Sequence, residues 1–197
     1  MSTTGVDDRK RRFLTLTGVA VGAVGVVGAV RPFLASMAPS ERAKALGAPV
    51  TVDISKLEEG QLLITTWRGS PVWIVRRTPE MLDNLDKVVG ELRDPNSVED
   101  MQPAYAQNDT RALRPEVLVM VGRCTHLGCS PSFRPDYPSE DLGKDWLGGF
   151  FCPCHGSKFD MAGRVYKGVP APLNMPIPPY RFADDNTIVV GEDTEVA

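Results

Sequence analysis

At 197 residues, the chain has room for one domain of ordinary size and an appendage, which excludes two large domains closing on a site between them. With 42% hydrophobic residues it is globular rather than disordered, and a net charge of -3 argues against the basic face of a nucleic-acid binder. The charge is uneven: residues 1–31 hold five Lys/Arg against two acids, or +3, leaving 17 against 23, or -6, for the rest.

In chain order, a basic cluster RKRR (9–12) precedes Phe13–Val30, 18 residues without a charge. As a helix they span about 27 Å at 1.5 Å per residue, close to the hydrocarbon thickness of a bilayer. Arg31 and Pro32 interrupt the run, but FLASMA follows, so the spacing predicts a transmembrane helix over 13–37 with the arginine reaching toward headgroups. A cleaved signal peptide is the competing reading, with ASMA (35–38) as its cut site. Basic residues before the span predict that 1–12 stays cytoplasmic and the remainder crosses. RKRRFL also resembles a twin-arginine signal in a Lys10–Arg11 form, a route suited to a domain that folds around a cofactor before export.

Residues 38–49 read as a linker, and 50–197 as a mainly antiparallel β domain. Predicted strands are VTVDI (50–54), a hairpin QLLITTW-RG-SPVWIVRR turning at Arg68–Gly69, VLVMVG (117–122) and TIVVG (187–191). Thr78, Pro79 and Glu80 open a short helix that stops before Gly90, and 91–115 is mostly loop.

Two histidines and four cysteines are the only ones in the chain, and all six lie between 124 and 155. They form CTHLGC, with Cys124, His126 and Cys129, and CPCHGS, with Cys152, Cys154, His155 and Ser157. Such confinement points to a metal site or a disulfide. C-x-H plus C-x2-H suits zinc chemically, though its knuckles more often use C-x2-4-C. The same donors suit a [2Fe-2S] centre with two thiolates on one iron and two imidazoles on the other, which is less negative and carries two titratable groups on one metal.

With these boxes, the anchor, the linker and KGVPAPLNMPIPPY (167–180), the sequence resembles the Rieske iron–sulfur subunits of cytochrome bc1 complexes over nearly its whole length. The resemblance implies a Rieske domain of antiparallel sheets, with its cluster-binding part at about 117–180 and one [2Fe-2S] cluster. By it, Cys124 and Cys152 ligate the inner iron, His126 and His155 the outer iron, and Cys129–Cys154 form a disulfide. Leu127 shields the cluster at a docking surface, Ser157 donates to a cluster sulfur, Gly128 and Gly156 permit tight loops, and Gly168–Pro172 covers a third side.

The implied activity is one-electron oxidation of a membrane quinol at His155, with His126 beside it, followed by reduction of cytochrome c1 while cytochrome b takes the second electron. The implied setting is a homodimeric complex in a bacterial inner membrane, the β domain periplasmic, with this subunit catalytic only inside the complex. Phe159 stands where many relatives have tyrosine, the loop reads G-V-P-A-P instead of G-P-A-P, and 22 residues separate Cys129 from Cys152, longer than in compact relatives. Two other functions remain open: the small Rieske subunit of an exported molybdenum oxidase such as arsenite oxidase, and a membrane-tethered zinc domain that binds proteins.

Overall fold

The computed structural model describes residue 5 and residues 7–193; residues 1–4 and 6 of the predicted N-terminal segment and 194–197 of the predicted β domain lie outside the described residues. It divides into two units, 1–45 and 46–197.

The first unit is dominated by helix α1, Asp8–Ser36, which begins five residues before the predicted span and passes through Arg31 and Pro32. Asp7 caps it, its side chain accepting the amides of Arg9 and Lys10 at 3.1 and 3.2 Å. An 18-residue window of the helix has a mean hydropathy of 2.1 and none of the helix's residues is buried by protein, so it is long and apolar enough to cross a membrane. Its two threonines suit that medium, because Thr15 and Thr17 donate back to the carbonyls of Arg11 and Phe13, each at 2.9 Å. Within the predicted linker, Glu41–Leu46 forms a second helix, α2, where Ser40 Oγ accepts the amide of Ala43 at 3.2 Å and Lys44 pairs with Glu41 at 2.7 Å.

The second unit is three antiparallel three-stranded sheets. One joins β1 (Val50–Asp53) to β9 (Thr187–Val190) and β9 to β8 (Tyr180–Phe182). Another is the predicted hairpin, β2 (Leu62–Trp67) and β3 (Ser70–Arg76), extended by β4 (Val117–Val121). Arg68 and Gly69 turn it with φ of 50° and 70°, the left-handed pair that a two-residue hairpin of matching twist requires. The third sheet is β5 (Ser132–Arg134), β6 (Gly149–Cys152) and β7 (Ser157–Phe159).

Helix α3, Pro79–Lys87, starts as predicted, with Thr78 Oγ1 accepting the amide of Met81 at 3.2 Å, and buries Met81, Asn84 and Leu85. The loop predicted at 91–115 contains one 3-10 turn, Ala104–Ala106, and another, Val89–Glu91, precedes it.

The core joins the sheets through aromatic contacts. Trp73 on β3 and Phe133 on β5 both meet Phe150 on β6, each with ring centroids 5.5 Å apart. Around them Val72, Ile74, Val75, Leu118, Val119 and Met120 are fully buried, so β3 and β4, rich in β-branched residues, carry this part of the core, while β2 is mostly half-buried or exposed. The extra residues between β5 and β6 close on Arg134, whose guanidinium meets Asp136 at 2.9 Å and Asp141 at 2.6 Å, and Tyr137 donates to Glu80 on the α3 side at 2.6 Å.

Candidate metal centre

Both boxes sit at strand ends. The first, 124–129, connects β4 to β5, and the second, 152–157, is the turn between β6 and β7. Their backbones repeat one design: the carbonyl of Cys124 accepts the amide of Gly128, and that of Cys152 the amide of Gly156, both at 2.9 Å. Gly128 and Gly156 close these turns at φ of 81° and 76°, a region that other residues enter only at a cost. Cys124 also donates its amide to the carbonyl of Cys129 at 2.8 Å, closing the first box on itself.

The two cysteines that open the boxes, Cys124 and Cys152, are free thiols and 3% and 2% exposed. The remaining two, Cys129 and Cys154, form a disulfide that ties the loops together, with Cα atoms 6.8 Å apart. The Cys152 sulfur lies within 4.8 Å of both disulfide sulfurs. Those two are oxidised and supply no thiolate, so the grouping places the bridge against the Cys152 thiol without adding candidate ligands. Burial pushes the Cys152 thiol pKa up, and the neighbouring Cys124 thiol adds to the rise. Two thiolates buried side by side need positive charge, which metal ions supply.

The imidazoles complete the donor set. His126 and His155 lie with ring centroids 4.8 Å apart and planes at 85°. His126 is partly buried and its Nδ1 is a buried atom without a hydrogen-bond partner, whereas His155 is exposed. A buried ring nitrogen without a partner, in the same short loop as a buried free thiol, suits a metal ligand, since buried nitrogens are otherwise paired. Two sulfurs and two nitrogens, one of each from each box, therefore fit a [2Fe-2S] centre. The same donors also fit one zinc ion.

The proline-rich segment touches both boxes. Ser157 is fully buried, and its Oγ accepts the amide of Ala171 at 3.0 Å, which leaves its own proton to donate. Thr125 Oγ1 donates to the carbonyl of Leu173 at 2.6 Å. Arg93 adds weaker bonds to the carbonyls of Val169 and Pro172 at 3.3 and 3.4 Å. One hydroxyl from each box thus clamps 168–173 over the site. Thr125 was not singled out in the sequence; its place between Cys124 and His126 was the available signal. Leu127, which follows His126 in the chain, points an apolar surface outward at 72% exposure. Phe159 is fully buried in the core that includes Cys124 and Cys152.

Residues 50–180 match the family model described as the Rieske [2Fe-2S] domain, and residues 1–40 match that of the ubiquinol–cytochrome c reductase Fe-S subunit TAT signal. The chain is 55% identical over 193 residues to the ubiquinol–cytochrome c reductase iron–sulfur subunit of Allochromatium vinosum, covering 98% of this chain and 93% of that one. It is 45% identical over 191 residues to the corresponding subunit of Rhodospirillum rubrum, covering 96% of each. Among solved structures, that of a hyperthermophilic respiratory Complex III is similar at 28% identity, with a TM-score of 0.49 over 88% of this chain and 98% of that one.

Proposed function

Because this chain belongs to the family of Rieske iron–sulfur subunits of ubiquinol–cytochrome c reductase, we propose that it is the electron-transfer subunit of a cytochrome bc1 complex, carrying one [2Fe-2S] cluster. Membership sets aside the zinc domain, and the relatives give no support to a molybdenum-oxidase subunit. Cys124 and Cys152 would hold one iron, and His126 and His155 the other. When bound, the cluster supplies a one-electron acceptor.

The chain's own residues do the rest. His155, the exposed imidazole, presents a ring nitrogen to a quinol hydroxyl and takes the proton as the electron leaves the quinol. His126 completes the ligand pair and shares the proton load. Leu127 excludes water at the docking surface, where it is exposed and apolar. Ser157, whose Oγ accepts the amide of Ala171, keeps its proton for a cluster sulfur. Cytochrome b receives the second electron and cytochrome c1 is reduced by this domain, within a homodimeric complex outside which the subunit has no turnover. Helix α1 stays uncleaved, with its basic end cytoplasmic and the β domain in the periplasm of a bacterial inner membrane.

What supports this reading is that two buried free thiols and two imidazoles in mutual contact, one of them exposed, come from two strand-end turns tied by a disulfide. Metal analysis and low-temperature EPR of the detergent-solubilised full chain test it. Two irons and two acid-labile sulfides per chain, with a Rieske-type reduced signal, are expected; zinc without sulfide would overturn the assignment.

A further inference from the structure

Three arginines lie inside the β domain, with Arg77 1%, Arg111 0% and Arg164 1% exposed. One carboxylate, Asp160, is buried with them at 1%. All four meet at the turn 160–164, immediately after β7. Asp160 Oδ1 accepts the amides of Ala162 and Arg164 at 3.0 and 2.7 Å, and its Oδ2 accepts Arg164 Nε at 2.7 Å. The other two guanidiniums reach the same turn but find only carbonyls: Arg77 Nη1 donates to Met161 and Arg111 Nη1 to Ala162, each at 3.1 Å.

Arg77 also donates to Pro115 and Thr110, both at 2.8 Å, and Arg111 to Gln102 Oε1 at 2.9 Å. Arg77 Nη2 and Arg111 Nε have no hydrogen-bond partner, and Arg111 sits at a φ of 50°. Burial draws both guanidinium pKa values down to about 10, with Asp160 opposing, so both remain charged at neutral pH. Among the described buried residues the interior therefore carries three positive charges against one negative.

Holding a turn does not require this charge. Neutral amides donate to carbonyls at far lower desolvation cost, and a buried charge without a counter-ion is among the least favourable things a fold can contain. The position of the excess suggests its use. Asp160 follows Phe159 directly, and its Cα lies 3.0 Å from where a Cβ on Gly149 would stand, at the matching end of β6. From that end β6 and β7 run to Cys152 and Ser157, three residues or roughly 10 Å away at strand spacing. Phe150, Phe159 and Met120 are fully buried beside this path, so on its inner face apolar side chains of low dielectric lie between the charge and the ligand boxes.

We propose that the unbalanced arginine block behind the 160–164 turn raises the reduction potential of the metal centre, its field favouring the state with one electron more. This rests on the cluster reading above. Arg77 and Arg111 act as positioning residues for the turn and as fixed positive charges; neither touches a ligand.

The test is a redox titration of the detergent-solubilised full chain at one pH, with circular dichroism following the cluster. Arg111→Gln removes a positive charge and should lower the potential, while Asp160→Asn removes the negative one and should raise it. A purely structural role gives no such opposition, because both substitutions loosen the same turn. Arg111→Lys, which keeps the charge but loses the planar fork, should stay close to wild type. If Asp160→Asn does not load, the double variant Asp160→Asn/Arg164→Gln removes a neutral pair and should leave the potential unmoved. Shifts of one sign in both charge variants, no shift in either, or a shift in the neutral double variant would overturn the proposal. Iron and sulfide content with EPR reports separately on the cluster: a loaded wild type with unmoved variants refutes the charge effect alone, and a wild type without a cluster refutes the site.

Discussion

Removing the Cys129–Cys154 bridge should destabilise the domain chiefly through the unfolded chain. The bridged residues are 25 apart in sequence, and the chain-entropy relation for a loop of that size gives about 3.5 kcal/mol, a factor of several hundred in the folded-to-unfolded ratio. The folded site keeps other restraints. Thr125 still bonds Leu173 and Ser157 still bonds Ala171, so the loops are expected to hold their positions once assembled. The Cys129→Ala/Cys154→Ala chain should therefore load its cluster and show a near-normal visible circular dichroism spectrum, yet lose both at lower urea. Urea unfolding of the full chain in detergent, followed by visible circular dichroism and tryptophan fluorescence, measures this. Reducing the wild type should reproduce the loss, since Cys154 is exposed to reductant. A midpoint equal to that of the intact protein would show that the bridge does not restrain the unfolded chain as reasoned.

Replacing Cys152 or His155 by alanine should abolish iron and sulfide together, because no described free thiol or imidazole outside the four proposed ligands can take the vacated place; retention of two irons per chain would refute the ligand set. Thr125→Val deletes a 2.6 Å bond and leaves the Leu173 carbonyl unpaired, at a cost of about 1–3 kcal/mol, so amide exchange should quicken across 168–173, and unchanged exchange there would refute the clamp. Burial raises the Tyr180 phenol pKa from 10.0 to about 12. The unfolded phenol thus ionises first, and stability conferred below pH 10 is lost between pH 10 and 12. Relative to Tyr180→Phe, the wild type should lose stability to urea between those pH values; a constant difference would count against it.

The parts legible in the sequence were those with a local cause. The RG turn between two β-branched runs located β2 and β3, Thr78–Pro79 located the start of α3, and an uncharged run before Arg31 located α1. Strands β5, β7 and β8 have only three residues each, and β6 has four, too few for alternation to register among glycine, proline and cysteine. Helix α2 was missed because alanine and lysine suit a linker as well as a helix. At the site, the Cys and His residues stood out through rarity. Thr125, Arg77 and Arg111 did not, since their roles come from carbonyls 48, 84 and 51 residues away that no local pattern announces.

The pairing of β1 with β9 brings Val50 opposite Val190, so the β domain begins and ends at neighbouring points of one sheet. That geometry makes the domain a candidate for circular permutation: a short linker can join residue 193 to residue 50, and new termini can open at Arg68–Gly69, an exposed two-residue turn. Every cysteine and both imidazoles would remain in one uninterrupted stretch of the rearranged chain, from 124 to 155, and the membrane helix could be moved to a different corner of an otherwise unchanged electron carrier.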